Sequence, residues 1–312
     1  MDPLSDVLSR MRPSSPLARL ATDHGNWCVQ FQPHGYIKCY AVLSGTCWIA
    51  VEDGEPVALM AGDCVLLPGQ RGFRLGSDLT LPAVPQEVYL QQKTSRVLDA
   101  RKGDMADADA NEVTFIGSAF TLPGPQAALL LEALPPLIHL EQVTGEESLR
   151  WSLERMEQEL REEQPGARLM AEHLAQVFLI QALRIHLDRV GTGQVGWLFA
   201  LTDPQLSGVL GAMHTAPAYP WTVQGLAERA GLPRSTFAAL FSAGVGLTPL
   251  AYLTRWRMLL AADRLIGGEE SVADIALSVG YESEAAFSTA FKRVMGRPPR
   301  RYGRQGHQAA AD

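Results

Sequence analysis

Apolar and polar residues alternate along residues 34–100, and Gly, Pro and Asp interrupt the alternation. One predicted strand face carries four small or apolar residues, Ile37, Cys39, Ala41 and Leu43. A period of two is that of a strand, and Ser44-Gly45 predicts a turn into the next strand, residues 47–51. Further strands are predicted at residues 57–60, 64–67, 72–75 and 113–120. Many short strands joined by tight turns favour a small barrel or jelly roll.

From residue 146 the apolar period becomes that of a helix. Four apolar residues follow at spacings of four, three and four, Leu149, Leu153, Met156 and Leu160. Pro165-Gly166 ends this helix, and a second helix is predicted at residues 168–190. The narrow stripe on the first helix resembles a coiled-coil seam, although it covers only two heptads. Homodimerisation and packing against the barrel or the second helix are therefore all open for this region.

The last third of the chain contains one pattern twice. Aligning residues 231–252 with residues 280–302 superposes six pairs: Gly231 and Gly280, Phe237 and Phe287, Phe241 and Phe291, Gly246 and Gly296, Pro249 and Pro299, Tyr252 and Tyr302. Each copy predicts a helix, a turn at glycine and a second helix with its phenylalanines in the core. The sequence therefore predicts a duplicated helix-turn-helix.

Helix-start signals and a long intervening helix support this duplication. Asp203-Pro204 and Ser283 are predicted helix starts, and Ser271 with Asp274 forms a capping-box pattern. Between the copies, residues 249–265 predict one helix of about 25 Å. Such a helix can hold two recognition helices about one turn of DNA apart, roughly 34 Å.

The charge is distributed unevenly along the chain. The net charge is -7 over 312 residues. Residues 1–199 carry 16 Lys and Arg against 25 Asp and Glu, whereas residues 200–312 carry 11 against 9. Four arginines lie between Arg297 and Arg304, and such clustering matters because attraction to phosphate is local, within a Debye length of about 8 Å. No apolar run is long enough to span a membrane, so we expect a cytoplasmic protein without a membrane partner.

The four cysteines all lie in the first fifth of the chain, at positions 28, 39, 47 and 64. None forms a CxxC pair, which disfavours a zinc ribbon. We expect these cysteines to act as small apolar residues inside strands, because free cysteine is among the most buried residue types. A thiol-based redox sensor is the alternative.

The residue spacing A-x-x-x-G, F-x-x-x-F and G-x-x-P-x-x-Y, with GYESEAAFSTAFKRVMG, resembles the DNA-binding domain of AraC/XylS-type transcriptional regulators. The segment HGYIKCYAVLSGTCWIAVEDGEPVALMAGDCVLLPG resembles the cupin-type sensing domain of one branch of that family. The resemblance implies an α+β protein of two domains. It places a cupin-like β-barrel at residues 1–125, a helical linker or dimerisation region at 126–199, an all-α double helix-turn-helix domain at 200–304 and a disordered tail at 305–312.

Carried over by position, the resemblance implies that two short helix faces contact promoter DNA. These faces comprise Arg234, Ser235, Thr236, Ala238, Ala239, Ser283, Glu284, Ala285, Ala286, Thr289, Lys292 and Arg293. Positions 239 and 289, often arginine in the family, are Ala and Thr, so bidentate guanine contacts are not expected there. We expect recognition through thymine methyl groups, DNA shape and backbone contacts. RNA polymerase, an unknown small-molecule effector and a second copy of the chain are the other implied partners, with the protein acting as an activator.

The sensing domain lacks the metal-binding pattern of cupin enzymes, because Phe73 stands where a histidine is needed. We therefore predict no metal, no cofactor and no enzymatic activity. Candidate effector-binding residues are His34, Lys38 and Cys39. Lys38 is interpreted as a solvent-exposed residue of its strand. The alternative is that it faces the barrel interior and contacts an anionic effector there. A metal-dependent or ligand-binding cupin protein with an accessory helical domain is the alternative function.

Overall fold

The computed structural model describes residues 2–11, 18–92, 112–162, 164–190, 195–268 and 270–304. The chain forms two compact units, and each unit is built from separate pieces of sequence. The barrel unit comprises Pro13–Leu122 and Leu134–His186, and the helical unit comprises Met1–Arg12, Pro123–Ala133 and Leu187–Asp312. The predicted disordered tail, residues 305–312, lies outside the described residues.

This division differs from the domain boundaries predicted at residues 125 and 199. The N-terminal segment belongs to the helical unit because Val7 and Leu8 are buried there. Residues 123–133 join the same unit, with Leu129 and Leu130 buried. The predicted linker region is therefore divided, since residues 134–186 belong to the barrel unit.

The barrel unit contains two five-stranded sheets in the described residues. The strands are β1 Arg19–Asp23, β2 Cys28–Phe31, β3 Ile37–Ser44, β4 Thr46–Val51, β5 Val57–Met60, β6 Cys64–Leu67, β7 Phe73–Gly76, β8 Val84–Pro85, β9 Val113–Phe120 and β10 Ile138–Leu140. One sheet has the order β1-β9-β3-β6-β10 and the other β5-β4-β7-β2-β8. Neighbouring strands are antiparallel except β2 and β8. The six strands predicted from the alternation are confirmed.

Inward-facing side chains of both sheets form the core of the barrel unit, including Ile49, Leu59, Val65 and Phe73. The turn between β3 and β4 depends on Gly45, which has a φ of 77° and packs against the backbone of Glu112. A Cβ atom at this position would collide with the Glu112 carbonyl oxygen. Glycine is therefore required both by the backbone conformation and by the available space.

All four cysteines are buried as free thiols. Cys39 Sγ lies 3.5 Å from Cys64 Sγ. Burial raises the pKa of the Cys47 thiol to about 12 and also raises the pKa of Cys28 and Cys64. All four lie in strands, so their interpretation as small apolar side chains inside strands is confirmed. Burial also disfavours the thiolate, which is the reactive form of cysteine.

The helices are α1 Pro3–Met11, α2 Ala127–Ala133, α3 Glu147–Glu162, α4 Ala167–Val190, α5 Pro204–Thr215, α6 Val223–Ala230, α7 Arg234–Val245, α8 Pro249–Gly267, α9 Val272–Ser278 and α10 Glu284–Met295. Residues 86–92 and 299–304 are also helical. In the described ranges no single helix is long and apolar enough to cross a membrane, although the bent pair α7 and α8 passes by length and composition alone.

A buried hydrogen-bonded chain joins α1 to the core of the helical unit. His214 Nδ1 lies 3.2 Å from Asp6 Oδ2, and His214 Nε2 lies 2.7 Å from the Tyr252 hydroxyl. Because a carboxylate can only accept a hydrogen bond, Nδ1 donates to Asp6. In the neutral imidazole Nε2 is then the acceptor, and it accepts a hydrogen bond from the Tyr252 hydroxyl. Burial raises the pKa of Tyr252, so its hydroxyl keeps the proton that it donates. The imidazole also stacks on Trp256 with ring centroids 4.0 Å apart.

We expect Asp6→Ala to destabilise the protein by about 1 to 3 kcal/mol, because it leaves a buried imidazole donor without its acceptor. Asp6→Asn keeps an acceptor oxygen and should lose less. Urea unfolding followed by tryptophan fluorescence measures both. Equal stability of the native protein and the alanine variant would contradict this account of α1.

Thiol reactivity provides a second test. The native protein should react slowly with a thiol-specific disulfide reagent at pH 8, because burial keeps the raised-pKa thiols protonated. The unfolded protein should react rapidly at all four cysteines and release four equivalents of the reagent's leaving thiol per chain. A native thiol that reacts as fast as free cysteine would revive the redox-sensor alternative.

Candidate nucleic-acid interface and ligand cavity

The first helix-turn-helix is formed by α6 and α7. Thr222 Oγ1 accepts a hydrogen bond from the Gly225 amide at 3.0 Å and caps α6. Gly231 ends α6 with a φ of 68°, and Pro233 precedes α7. A left-handed residue at a helix end is the usual position for glycine. The predicted turn at Gly231 between two helices is confirmed.

The second helix-turn-helix is formed by α9 and α10. Ser271 Oγ accepts from the Asp274 amide at 3.1 Å, and its hydroxyl donates to the Asp274 carboxylate at 2.6 Å. Ser283 Oγ accepts from the Ala286 amide at 3.2 Å. Both predicted caps are therefore confirmed. The turn at Gly280 packs closely against another segment, because a Cβ atom there would lie 2.6 Å from the Ala218 carbonyl oxygen.

The helix α8 joins the two copies and belongs to the core of both. Tyr252 and Trp256 are its largest fully buried side chains. Tyr252 packs edge-on against Phe241 of the first copy, with ring centroids 6.0 Å apart. At 19 residues α8 is about 28 Å long, so the prediction of one long helix is confirmed.

The segment before α6 also holds the two copies together. Arg257 of α8 donates to the carbonyl oxygens of Pro217 at 2.6 Å and Tyr219 at 2.9 Å. Its guanidinium carbon lies 6.0 Å from the ring centroid of Tyr281, which follows the turn of the second copy. Since Gly280 packs against Ala218, this segment contacts the second turn directly. No local pattern in the sequence indicates this contact.

The predicted DNA-contacting side chains lie on the outer faces of α7 and α10, which we term the reading faces. Eleven of the twelve are exposed and Ala238 is partly buried: Arg234, Ser235, Thr236, Ala239, Ser283, Glu284, Ala285, Ala286, Thr289, Lys292 and Arg293 are the exposed ones. On the opposite sides of these helices Phe237, Phe241, Phe287 and Phe291 are fully buried. The prediction that these aromatic residues are core residues is confirmed.

The two reading faces carry opposite charges at their first helical positions. Arg234 begins α7, whereas Glu284 begins α10. The Glu284 carboxylate accepts from Arg300 at 3.1 Å, so one arginine of the 297–304 cluster is held beside the second reading face. Lys292 and Arg293 lie in the last turn of α10, and both are exposed.

A cavity of about 340 Å³ lies between the two sheets of the barrel unit. Its wall includes six aromatic side chains, Trp27, Phe31, Tyr36, Tyr40, Tyr89 and Phe115. The volume is at the small end of the range of about 300 to 1,000 Å³ typical of small-molecule sites. The alternation on β3 could have indicated Tyr40, which shares a strand face with Lys38. Phe31 and Tyr89 come from distant segments and carried no such signal.

Lys38 lies in the wall of this cavity, so its interpretation as a solvated strand residue is wrong. Only 5% of the residue is exposed. Its Nζ donates to Gln86 Oε1 at 3.1 Å and lies 4.0 Å from the centroid of the Phe31 ring. Burial lowers the pKa of Lys38 to about 8, and Glu87 partly offsets this effect. The physical reason for the error is that both faces of β3 are covered.

The other two candidate effector residues lie elsewhere. Cys39 is on the opposite face of β3, beside Cys64. His34 Nδ1 donates to the Tyr36 carbonyl oxygen at 2.8 Å, and its ring stacks on Tyr36. Burial, and then the nearby charge of Lys38, lowers the pKa of His34 to about 4. Of the three candidates, the structure brings Lys38 alone to the cavity wall.

The described part of the barrel unit offers no cluster of three or more His, Cys, Asp or Glu side chains that could hold a metal ion. Phe73, at the position where a cupin enzyme needs a histidine, is buried and stacks on Phe31 with ring centroids 4.3 Å apart. Phe73 is therefore part of the aromatic packing inside the barrel unit.

Comparison with known proteins agrees with this architecture. Residues 2–188 match a cupin family model, and residues 226–305 match a helix-turn-helix domain model. A relative from Streptomyces lividans, described as an AraC-like transcription regulator, is 41% identical over 97% of this chain and 98% of its own length. The HTH-type transcriptional regulator AlkR of Acinetobacter baylyi is 30% identical over 98% of this chain and all of its own length. A solved structure of ToxT from Vibrio cholerae covers 93% of this chain and 95% of its own chain, with 13% identity and a TM-score of 0.37. This chain therefore belongs to the AraC-type transcriptional regulators, with a cupin domain followed by a double helix-turn-helix domain.

Proposed function

We propose that this regulator binds promoter DNA through the twelve residues of its two reading faces. The observation that carries the proposal is the pair of exposed reading faces, each supported by a buried aromatic core. Recognition helices of this kind enter successive major grooves. Lys292, Arg293 and the arginine cluster at 297–304 supply cations for the phosphate backbone.

The composition of the reading faces determines how sequence is recognised. Ala239 and Thr289 cannot make the bidentate guanine contact of an arginine. The small side chains Ala238, Ala239 and Ala285 suit contact with thymine methyl groups, and DNA shape supplies further discrimination. Because Arg234 and Glu284 begin the two faces, the two half-sites bound by one protomer differ in sequence.

The barrel unit acts in this proposal as the sensor of a small-molecule effector, and its cavity is the binding site. The protein works in the cytoplasm as an activator that contacts RNA polymerase, without enzymatic activity of its own. The aromatic wall and the absence of a metal-binding cluster in the described residues favour this role over that of a metal-dependent cupin.

We also propose that two copies associate through α3 and α4. This helix pair leaves large apolar side chains exposed, Trp151, Leu169, Met170 and Val177. Met170 and Val177 are seven residues apart and therefore lie on one face of α4. An exposed apolar surface of this kind is typical of protein interaction sites.

Replacing both Lys292 and Arg293 by Ala should weaken DNA binding uniformly across sequences. The slope of log affinity against log salt concentration should fall by about two, because each phosphate contact contributes about 0.9. Titration of a DNA site selected by the native protein from random sequences, at several salt concentrations, measures this change.

The matched control is Arg71→Glu, at an exposed position of the barrel unit that lies outside α3 and α4. It changes the net charge by the same amount and should leave the salt slope unaltered. If the reading-face variant kept the native affinity and slope, the assignment of Lys292 and Arg293 to phosphate contacts would be wrong.

A variant with Met170→Glu and Val177→Glu should sediment as a monomer where the native protein sediments as a dimer, because charge replaces apolar contact area. Leu250→Glu with Leu277→Glu, on exposed positions of the helical unit, is the control and should remain dimeric. Sedimentation velocity measures both. A native protein that is monomeric, or a dimer that survives the first variant, would contradict this surface.

A further inference from the structure

The ammonium group of Lys38 is buried in the cavity wall and forms no ion pair with a carboxylate of the described residues, although the charge of Glu87 acts on it from a greater distance. Its hydrogen-bond partner, Gln86, is neutral, and its remaining contacts are with the faces of Phe31, Tyr36 and Phe73. Removing a charge from water is costly unless the charge is paired. Of the three donor protons of an ammonium group, Gln86 takes one, so two are left for another acceptor.

The other charged groups of the wall favour an anion as that acceptor. Arg19 is a second cation in the cavity wall. Asp23 is the carboxylate of the wall, and it accepts a hydrogen bond from the Tyr89 hydroxyl at 2.7 Å. A cationic ligand would place like charge against Lys38. A dianion such as a phosphate ester would bring excess charge into surroundings that are mainly apolar and aromatic.

The rest of the wall requires an apolar body on the ligand. Trp27, Val29, Phe31, Leu75 and Phe115 line the same space. Burying aliphatic or aromatic surface against these side chains supplies most of the affinity, while the single polar group fixes the orientation.

We propose that the cavity binds an apolar carboxylic acid, whose carboxylate pairs with Lys38 and whose aliphatic or aromatic body lies among the rings. This inference rests on the proposed sensing role of the barrel unit and specifies the chemistry of its effector. Lys38 thereby determines the specificity for an acid over a neutral molecule of the same shape.

Calorimetric titration of the full chain, without DNA, tests the proposal with two matched pairs of probes. The pairs are 3-phenylpropionate with 3-phenylpropionamide and octanoate with octanamide, which separate an aromatic from an aliphatic body. The acid of at least one pair should bind about 10- to 100-fold more tightly than its amide, the range expected for a charge-assisted hydrogen bond. Lys38→Met should abolish this preference by weakening the acid alone, and Lys38→Arg should retain it.

Equal affinity of acid and amide for the native protein would overturn the proposal, as would failure of all four probes to bind. Unchanged acid affinity in a folded Lys38→Met variant would overturn it too. Where that variant does not fold, the ratio of acid to amide affinity in the native chain still decides. The titration contains no DNA, so a negative result refutes the ligand proposal alone. Failure of the proposed promoter binding would appear separately, as absence of DNA binding by the native protein.

Discussion

The antiparallel pairing of β1 with β9 is the contact on which the arrangement of this chain depends. Arg19 lies opposite Gly117 and Asp23 opposite Val113, so strands about 90 residues apart in sequence become neighbours. The start of β1 and the end of β9 lie at the same edge of the sheet. The chain therefore enters and leaves the series β1 to β9 at adjacent points. The segments beyond those points, α1 and residues 123–133, both belong to the helical unit. The same two strands contribute to the cavity wall.

Two buried polar side chains, His214 and Lys38, differ in how completely their hydrogen-bonding groups are paired within the protein. Both ring nitrogens of His214 have partners within the helical unit, Asp6 and Tyr252, and the ring stacks on Trp256. That chain of hydrogen bonds needs no further molecule. Lys38 is equally buried but has one neutral hydrogen-bond partner, and it borders open space. Satisfied polar groups specify a core, whereas an incompletely paired charge beside a cavity marks a site of recognition.

Local signals predicted most of the elements, because each depends on residues close together in sequence. Strand alternation, the turn at Gly45, the caps at Ser271 and Ser283 and the internal repeat are all of this kind. Lys38 was wrongly interpreted as solvent-exposed. Both faces of β3 are covered, so the alternation of residue types along this strand does not identify a solvent-exposed face. The cavity wall was not predictable, since Phe31 and Phe115 lie on different sheets and Gln86 begins a helical segment, so that only the tertiary fold brings them together. The helix α1 was expected to lie in the cupin-like domain, whereas it belongs to the helical unit. The amphipathic pattern of its nine residues shows that one face is buried but does not show against which domain.

The docking of α1 limits how the double helix-turn-helix can be moved between proteins. A contiguous segment starting near residue 200 would contain both reading faces and all of α8, yet it would lack Asp6. It would also lack Gln126, whose side-chain amide donates to the Leu259 carbonyl oxygen at 3.2 Å. Recombination at the obvious sequence boundary would thus separate a core from parts that the chain supplies more than 60 residues upstream. The helical unit of this chain is therefore completed by residues from outside the contiguous helix-turn-helix segment.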